Sequence, residues 1–73
     1  MAVQAYILIQ TEVGVSEHVA TEIGTIEGIV LSEDVSGPYD VIARVRSDAD
    51  VPRVLAEAKR APGLARLCVC RSA

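Results

Sequence analysis

Three observations predict a ferredoxin-like α+β fold of order βαββαβ for this chain. The first is an internal repeat: an offset of 35 residues aligns Ile7 with Ile42, Val19 with Val54, Glu22 with Glu57, Ile23 with Ala58 and Gly28 with Gly63, without gaps. The second is a pair of segments with apolar residues at helical spacing, each flanked by short β-branched runs. The third is a Gly-Pro turn midway along the chain, between two of those runs. Two βαβ units with right-handed crossovers and a central hairpin make a four-stranded antiparallel sheet with both helices on one face.

Val3 to Gln10 reads as the first strand, with Val3, Ala5, Ile7 and Ile9 on one face. Ser16 is placed to cap the first helix, whose stripe is Val15, Val19, Ile23 and Ile26 with Ala20 beside it. Glu27-Gly28 stops that helix near Thr25. Ile29 to Val35 and Asp40 to Arg46 read as the second and third strands around a Ser36 to Tyr39 turn. Asp50 is an N-cap candidate, Pro52 fits only a first helical turn, and Val51, Val54, Leu55 and Ala58 form the second helical stripe. Pro62-Gly63 ends it, and Leu64 to Cys70 reads as the fourth strand.

The 73 residues form a single domain, 1–73. A chain this short buries only about 60% of the surface it exposes when unfolded, so its stability alone is marginal. Half of it is apolar, but there is no Trp or Phe, so the core is built from Val, Ile, Leu and Ala. Small aliphatic cores of this kind often need a partner subunit to complete them. The net charge is −3, and the basic residues are scattered, which argues against direct nucleic-acid binding. The longest unbroken apolar run, Ala5 to Ile9, is far short of a membrane span, and no signal peptide is evident, so a cytoplasmic protein with no membrane association is expected. Cys68 and Cys70 fall on one face of a strand. No Cys/His partners complete a zinc site, and they read as two small buried or half-buried thiols. Neither a metal nor a cofactor is expected.

The helices cover one sheet face only, so a monomer should be polar on the other. Here both faces carry apolar residues. Tyr6 and Leu8 share a face with Gln4 and Gln10, Ile29, Leu31 and Val35 oppose Val30, and Ala65, Leu67 and Val69 oppose Leu64, Cys68 and Cys70. The open face is therefore expected to be buried against a second copy, in a sandwich homodimer.

Gly37-Pro38-Tyr39-Asp40 is the candidate site. Gly and Pro turn the chain for steric reasons, and the turn runs directly into a phenol and a carboxylate at the mouth of a strand, where peptide groups leave the ladder. An α-ammonium group wants a carboxylate, and an α-carboxylate wants peptide N–H groups; Asp40 and the loop amides supply both. The plainer reading makes Asp40 a turn cap and Tyr39 an interface side chain. His18, four residues before Glu22, reads as a solvated helix-edge residue.

The run from Gly28-Ile29-Val30 through Glu33-Asp34-Val35-Ser36-Gly37-Pro38-Tyr39-Asp40-Val41, followed by Pro62-Gly63-Leu64-Ala65-Arg66, resembles the effector-binding domain of the Lrp/AsnC transcription regulators, the RAM domain. The likeness extends over essentially the whole chain, including Ala5-Tyr6-Ile7-Leu8-Ile9 and the Val13-Gly14 turn. It implies a domain that dimerises through its sheet, assembles into rings of dimers, and binds free amino acids between dimers. Gly37, Pro38, Tyr39 and Asp40 match the loop that, in the family, holds the backbone end of the amino acid. Leu67 and Val69 stand where the family often has Thr or Ser facing the ligand, which favours an apolar effector or none. Full-length regulators carry a helix-turn-helix before this module, whereas here the first strand begins at Val3. A stand-alone, non-enzymatic effector domain is implied, acting alone or with full-length Lrp/AsnC regulators.

Other readings are a purely structural assembly module with a decayed ligand site, or an ACT-like domain that binds its amino acid near the first strand-to-helix turn. Enzymes of this fold are disfavoured: acylphosphatase chemistry needs an Arg with a nearby Asn, and this chain has no Asn. Cofactor-free oxygenases of the dimeric α+β barrel type need His, Trp or Asn in an apolar cavity, and one edge His offers little.

Overall fold

The computed structural model describes residues 4–72, with side chains for 5–70; Val3 lies outside the described residues. Its elements are β1 (Gln4–Thr11), α1 (Ser16–Gly24), β2 (Ile29–Asp34), β3 (Val41–Val45), α2 (Val51–Ala58) and β4 (Leu64–Ser72). The sheet order is β2-β3-β1-β4, and every neighbouring pair is antiparallel. This is the predicted ferredoxin-like fold.

Strand alternation builds the core. Ala5, Ile7 and Ile9 of β1 and Val41, Ala43 and Val45 of β3 are buried on the helix-covered face. Val19, Ala20 and Ile23 of α1 and Val54 and Ala58 of α2 close over them, with Val15, Ile26, Val51 and Leu55 packed at the edge. Fully burying each of the core Val and Ile side chains is worth about 1.5–3 kcal/mol. The described core contains no aromatic residue.

The gapless repeat holds for the helices and the turns after them, but not for the strands. Val19 and Val54 are equivalent, as are Ile23 and Ala58, and Gly28 and Gly63 both have positive φ, 103° and 88°. Ile7, however, is fully buried, while Ile42 is only half-buried and pairs with Leu8 on the open face. The buried trio of β1 matches that of β3 at an offset of 36, because a one-residue slip sends a strand's side chains to the other face.

Local corrections follow from backbone geometry. Ser16 is the first residue of α1 and caps nothing; Val15 holds the N-cap position and makes no side-chain cap bond. The chain turns a residue early there, with Gly14 at φ 84°. Asp50 does cap α2, accepting the Arg53 N–H at 3.3 Å, with Pro52 in the first turn. A register shift between Ile29 and Leu31 separates residues expected on one face: Ile29 packs on the core, while Leu31 pairs with Arg44 on the open side. A second shift, at Gln10/Thr11, brings Leu64 opposite Thr11 and onto the core edge rather than alongside the cysteines. Cys68 and Cys70 share a face as predicted, but both are exposed: β4 is an edge strand, and they pair with Tyr6 and Leu8 on the face away from the helices, which no described residue covers.

Gly63 is where the fold most needs a glycine. A Cβ there would lie 2.9 Å from Val15 Cγ2, at a φ that L side chains rarely adopt. Its carbonyl accepts the Glu12 N–H at 2.8 Å, tying the β1–α1 loop to the start of β4.

Candidate functional site

The β2–β3 connection is built by ladder bonds that run past the strand ends. Val35 N–H donates to the Asp40 carbonyl at 2.8 Å, closing the hairpin, and Asp40 N–H donates to the Ile9 carbonyl at 2.8 Å, extending the β1–β3 ladder by one bond. One residue further along the hairpin the chain has turned away, and Thr11 N–H finds the Asp40 side chain instead: Oδ2 accepts it at 2.8 Å. Gln10 Nε2 donates to the Pro38 carbonyl at 2.8 Å, a second clamp between β1 and the turn. Gly37 sits at φ 143°, and a Cβ built there would meet nothing within 4 Å.

This geometry leaves a distinct set of polar groups. The peptide N–H groups of Ser36, Gly37 and Tyr39 make no hydrogen bond within the described chain, and Pro38 has none to offer. Asp40 is half-buried and uses only one of its oxygens in a hydrogen bond. Tyr39 is half-buried, and Gly37 and Pro38 are exposed. Three unengaged donors and a carboxylate oxygen within one short loop can hold a small group carrying both an anion and a cation.

Leu67 and Val69 lie elsewhere. They pair with Ile9 and Ile7 on the helix-facing side of β4, and Leu67 packs against the core. Two strand spacings, about 10 Å, separate Leu67 from the ladder position next to Asp40. One chain therefore brings Gly37, Pro38, Tyr39 and Asp40 together and leaves Leu67 and Val69 apart from them. Sequence reasoning missed Thr11 and Gln10 as partners of the turn. The signal was faint: Gln10 and Thr11 are two polar residues at the end of an apolar strand, and the sequence pattern assigns only Gln10 to it.

His18 is exposed, with Glu22 Oε1 3.9 Å from its Nε2. Two surface clefts fall away from the turn. One, about 420 Å³, lies between the C-terminal ends of the helices and is lined by Glu22, Glu27, Glu57 and Arg60 among others. The other, about 360 Å³, runs between α1 and β2 along Ala20, Gly24, Val30 and Leu31. Among the described residues, no three or more His, Cys, Asp or Glu side chains are grouped to hold a metal ion, and no helix is long and apolar enough to cross a membrane.

The six elements, with the β2–β3 turn at one end of the sheet, make a βαββαβ domain of ferredoxin-like architecture. Among solved structures, a hypothetical protein, PHS023, from Pyrococcus horikoshii superposes with a TM-score of 0.84 at 23% identity, over 97% of this chain and 89% of that one. FFRP-DM1 matches at 0.83 and 23% identity, over 97% of this chain and 99% of its own. AsnC of E. coli matches at 0.83 and 11% identity, over 97% of this chain and 50% of the AsnC chain. These likenesses are likenesses of fold, and at that level the resemblance to the Lrp/AsnC effector-binding module stands. No protein-family model matches the chain, and no curated protein does.

Proposed function

We propose that this chain is a non-enzymatic regulatory domain of the Lrp/AsnC type that binds a free amino acid and oligomerises. The observation that carries the reading is the group of unengaged N–H donors at Ser36, Gly37 and Tyr39 beside the Asp40 carboxylate, on a fold shared with E. coli AsnC. The donors take the α-carboxylate of the effector, and the second Asp40 oxygen takes its α-ammonium group. The Tyr39 ring flanks the site.

Leu67 and Val69 line the apolar part of the site. Because they stand apart from the turn within one chain, they reach the effector from a neighbouring copy, and the absence of hydroxyls selects an apolar amino acid. Pairing of copies uses the open sheet face, where Tyr6, Leu8 and Ile42 are half-buried and Leu31 is 44% exposed. Regulation is then linkage: an amino acid held between dimers favours the assembly that completes its site. Transcription control of amino-acid metabolism follows, through the assembly itself or through mixed assembly with full-length regulators.

Light scattering with and without added amino acids tests the assembly half of this reading. A particle of at least two copies, changing mass with an apolar amino acid, is expected. A single-copy particle under all conditions overturns it.

A further inference from the structure

The open sheet face carries two opposite charges that a single copy leaves unpaired. Arg44 of β3 lies there between Tyr6 of β1 and Leu31 of β2, and Glu33 of β2 lies opposite Ile42. These registers set Glu33 and Arg44 diagonally across the β2–β3 ladder, about 7–8 Å apart. Even so, neither side chain makes a hydrogen bond or an ion pair with a described residue.

Burial separates the two. Arg44 is already half-buried in one copy, whereas Glu33 is exposed. A guanidinium cannot shed its charge, so a second sheet laid over this face strips water from a permanent cation. Burying an ion without a partner is among the least favourable steps in forming an interface. The covering sheet must therefore bring a carboxylate to Arg44. Among the described strand residues only Glu33 and Asp34 are acidic, and Asp34 pairs with the core residue Val41 on the helix side, which leaves Glu33. Arg66 shares the open face but is exposed on the edge strand β4, where its charge stays solvated.

We propose that Arg44 of one copy pairs with the partner's Glu33 in the sandwich, an inference that rests on the open-face dimer of the preceding section. A two-fold interface is self-complementary, so the same contact forms twice, once from each copy. Ion pairs of this kind govern orientation and partner choice more than affinity. The pair thus fixes how the second sheet lies, and a chain lacking a carboxylate at this position leaves Arg44 buried alone.

Light scattering on the parent, on Arg44→Glu, on Glu33→Arg and on an equimolar mixture of the two variants tests the proposal. Each variant sets like charges across the interface and should be a single-copy particle with unchanged circular dichroism, while the mixture should return to the parental mass. Rescue in the mixture has to cross chains, because each variant still carries like charges at both positions within itself. Glu33→Gln, at an exposed position that leaves the fold intact, should raise the dimer dissociation constant by at least about tenfold. A mixture that stays single-copy, single variants that keep the parental mass, or an unchanged constant for Glu33→Gln overturns the pair while the parent's own mass upholds the dimer. Loss of the dimer in Arg66→Glu assigns Glu33 to Arg66 and overturns it too. A single-copy parent removes the sandwich and the pair together.

Discussion

The Asp40 carboxylate stands in for a missing peptide carbonyl: its Oδ2 accepts the Thr11 N–H at 2.8 Å, one residue past the last ladder bond between β1 and β3. The turn and the end of the central strand are thereby fixed to each other. Asp40 has two duties, one in the fold and one in the proposed site, and they are separable by substitution.

Asp40→Asn keeps an acceptor for Thr11 but removes the charge that holds an ammonium group. Its urea midpoint should stay close to that of the parent while amino-acid binding by calorimetry is lost. Asp40→Ala removes both, and loss of a hydrogen bond to a charged group should lower stability by about 1.5–3 kcal/mol as well. Undiminished binding by the Asn variant would remove Asp40 from the site.

Leu8 lies at the middle of the open face, paired with Ile42 on one side and Cys68 on the other. It is not part of the helix-side core. Leu8→Lys should therefore give a folded single-copy particle in light scattering, because a charge there is solvated in the monomer and stranded in a sandwich. A variant that keeps the parent's mass would contradict pairing through this face.

The two helix starts make a paired test. Asp50→Ala should cost about 1 kcal/mol, since it deletes the cap on Arg53 N–H. Ser16→Ala should change stability by less than about 0.5 kcal/mol, because Ser16 caps nothing. Chemical denaturation of the two variants reads the difference.

Gly63→Ala combines a left-handed backbone with a 2.9 Å approach to Val15 Cγ2. A loss of about 1–3 kcal/mol is expected from the backbone alone. Gly14→Ala meets no atom within 4 Å, and so should show only the backbone effect at its φ of 84°. Comparing their melting temperatures separates crowding from strain.

What the sequence could and could not disclose has physical causes. Element order was legible because Val19/Ile23 and Val54/Ala58 recur at helical spacing, and because a short strand and a nine-residue helix leave few alternatives. Faces were less legible. Ile29 and Leu31 are two apart and both apolar, and only the ladder reveals the shift that sends them to opposite sides. Ser16 carries the right chemistry for a cap one position too late. The candidate turn was legible from Gly37, Pro38 and Asp40, whereas its clamps at Gln10 and Thr11 depend on a strand pairing that local pattern does not specify.

A thermal-shift screen against the twenty amino acids at millimolar concentration tests the effector site most directly, because a ligand at 100 times its dissociation constant adds about 2.7 kcal/mol of stability. A selective rise in melting temperature with one or a few apolar amino acids, absent in Asp40→Asn, is the predicted result. No rise with any of the twenty would contradict an effector site at the Gly37 to Asp40 turn.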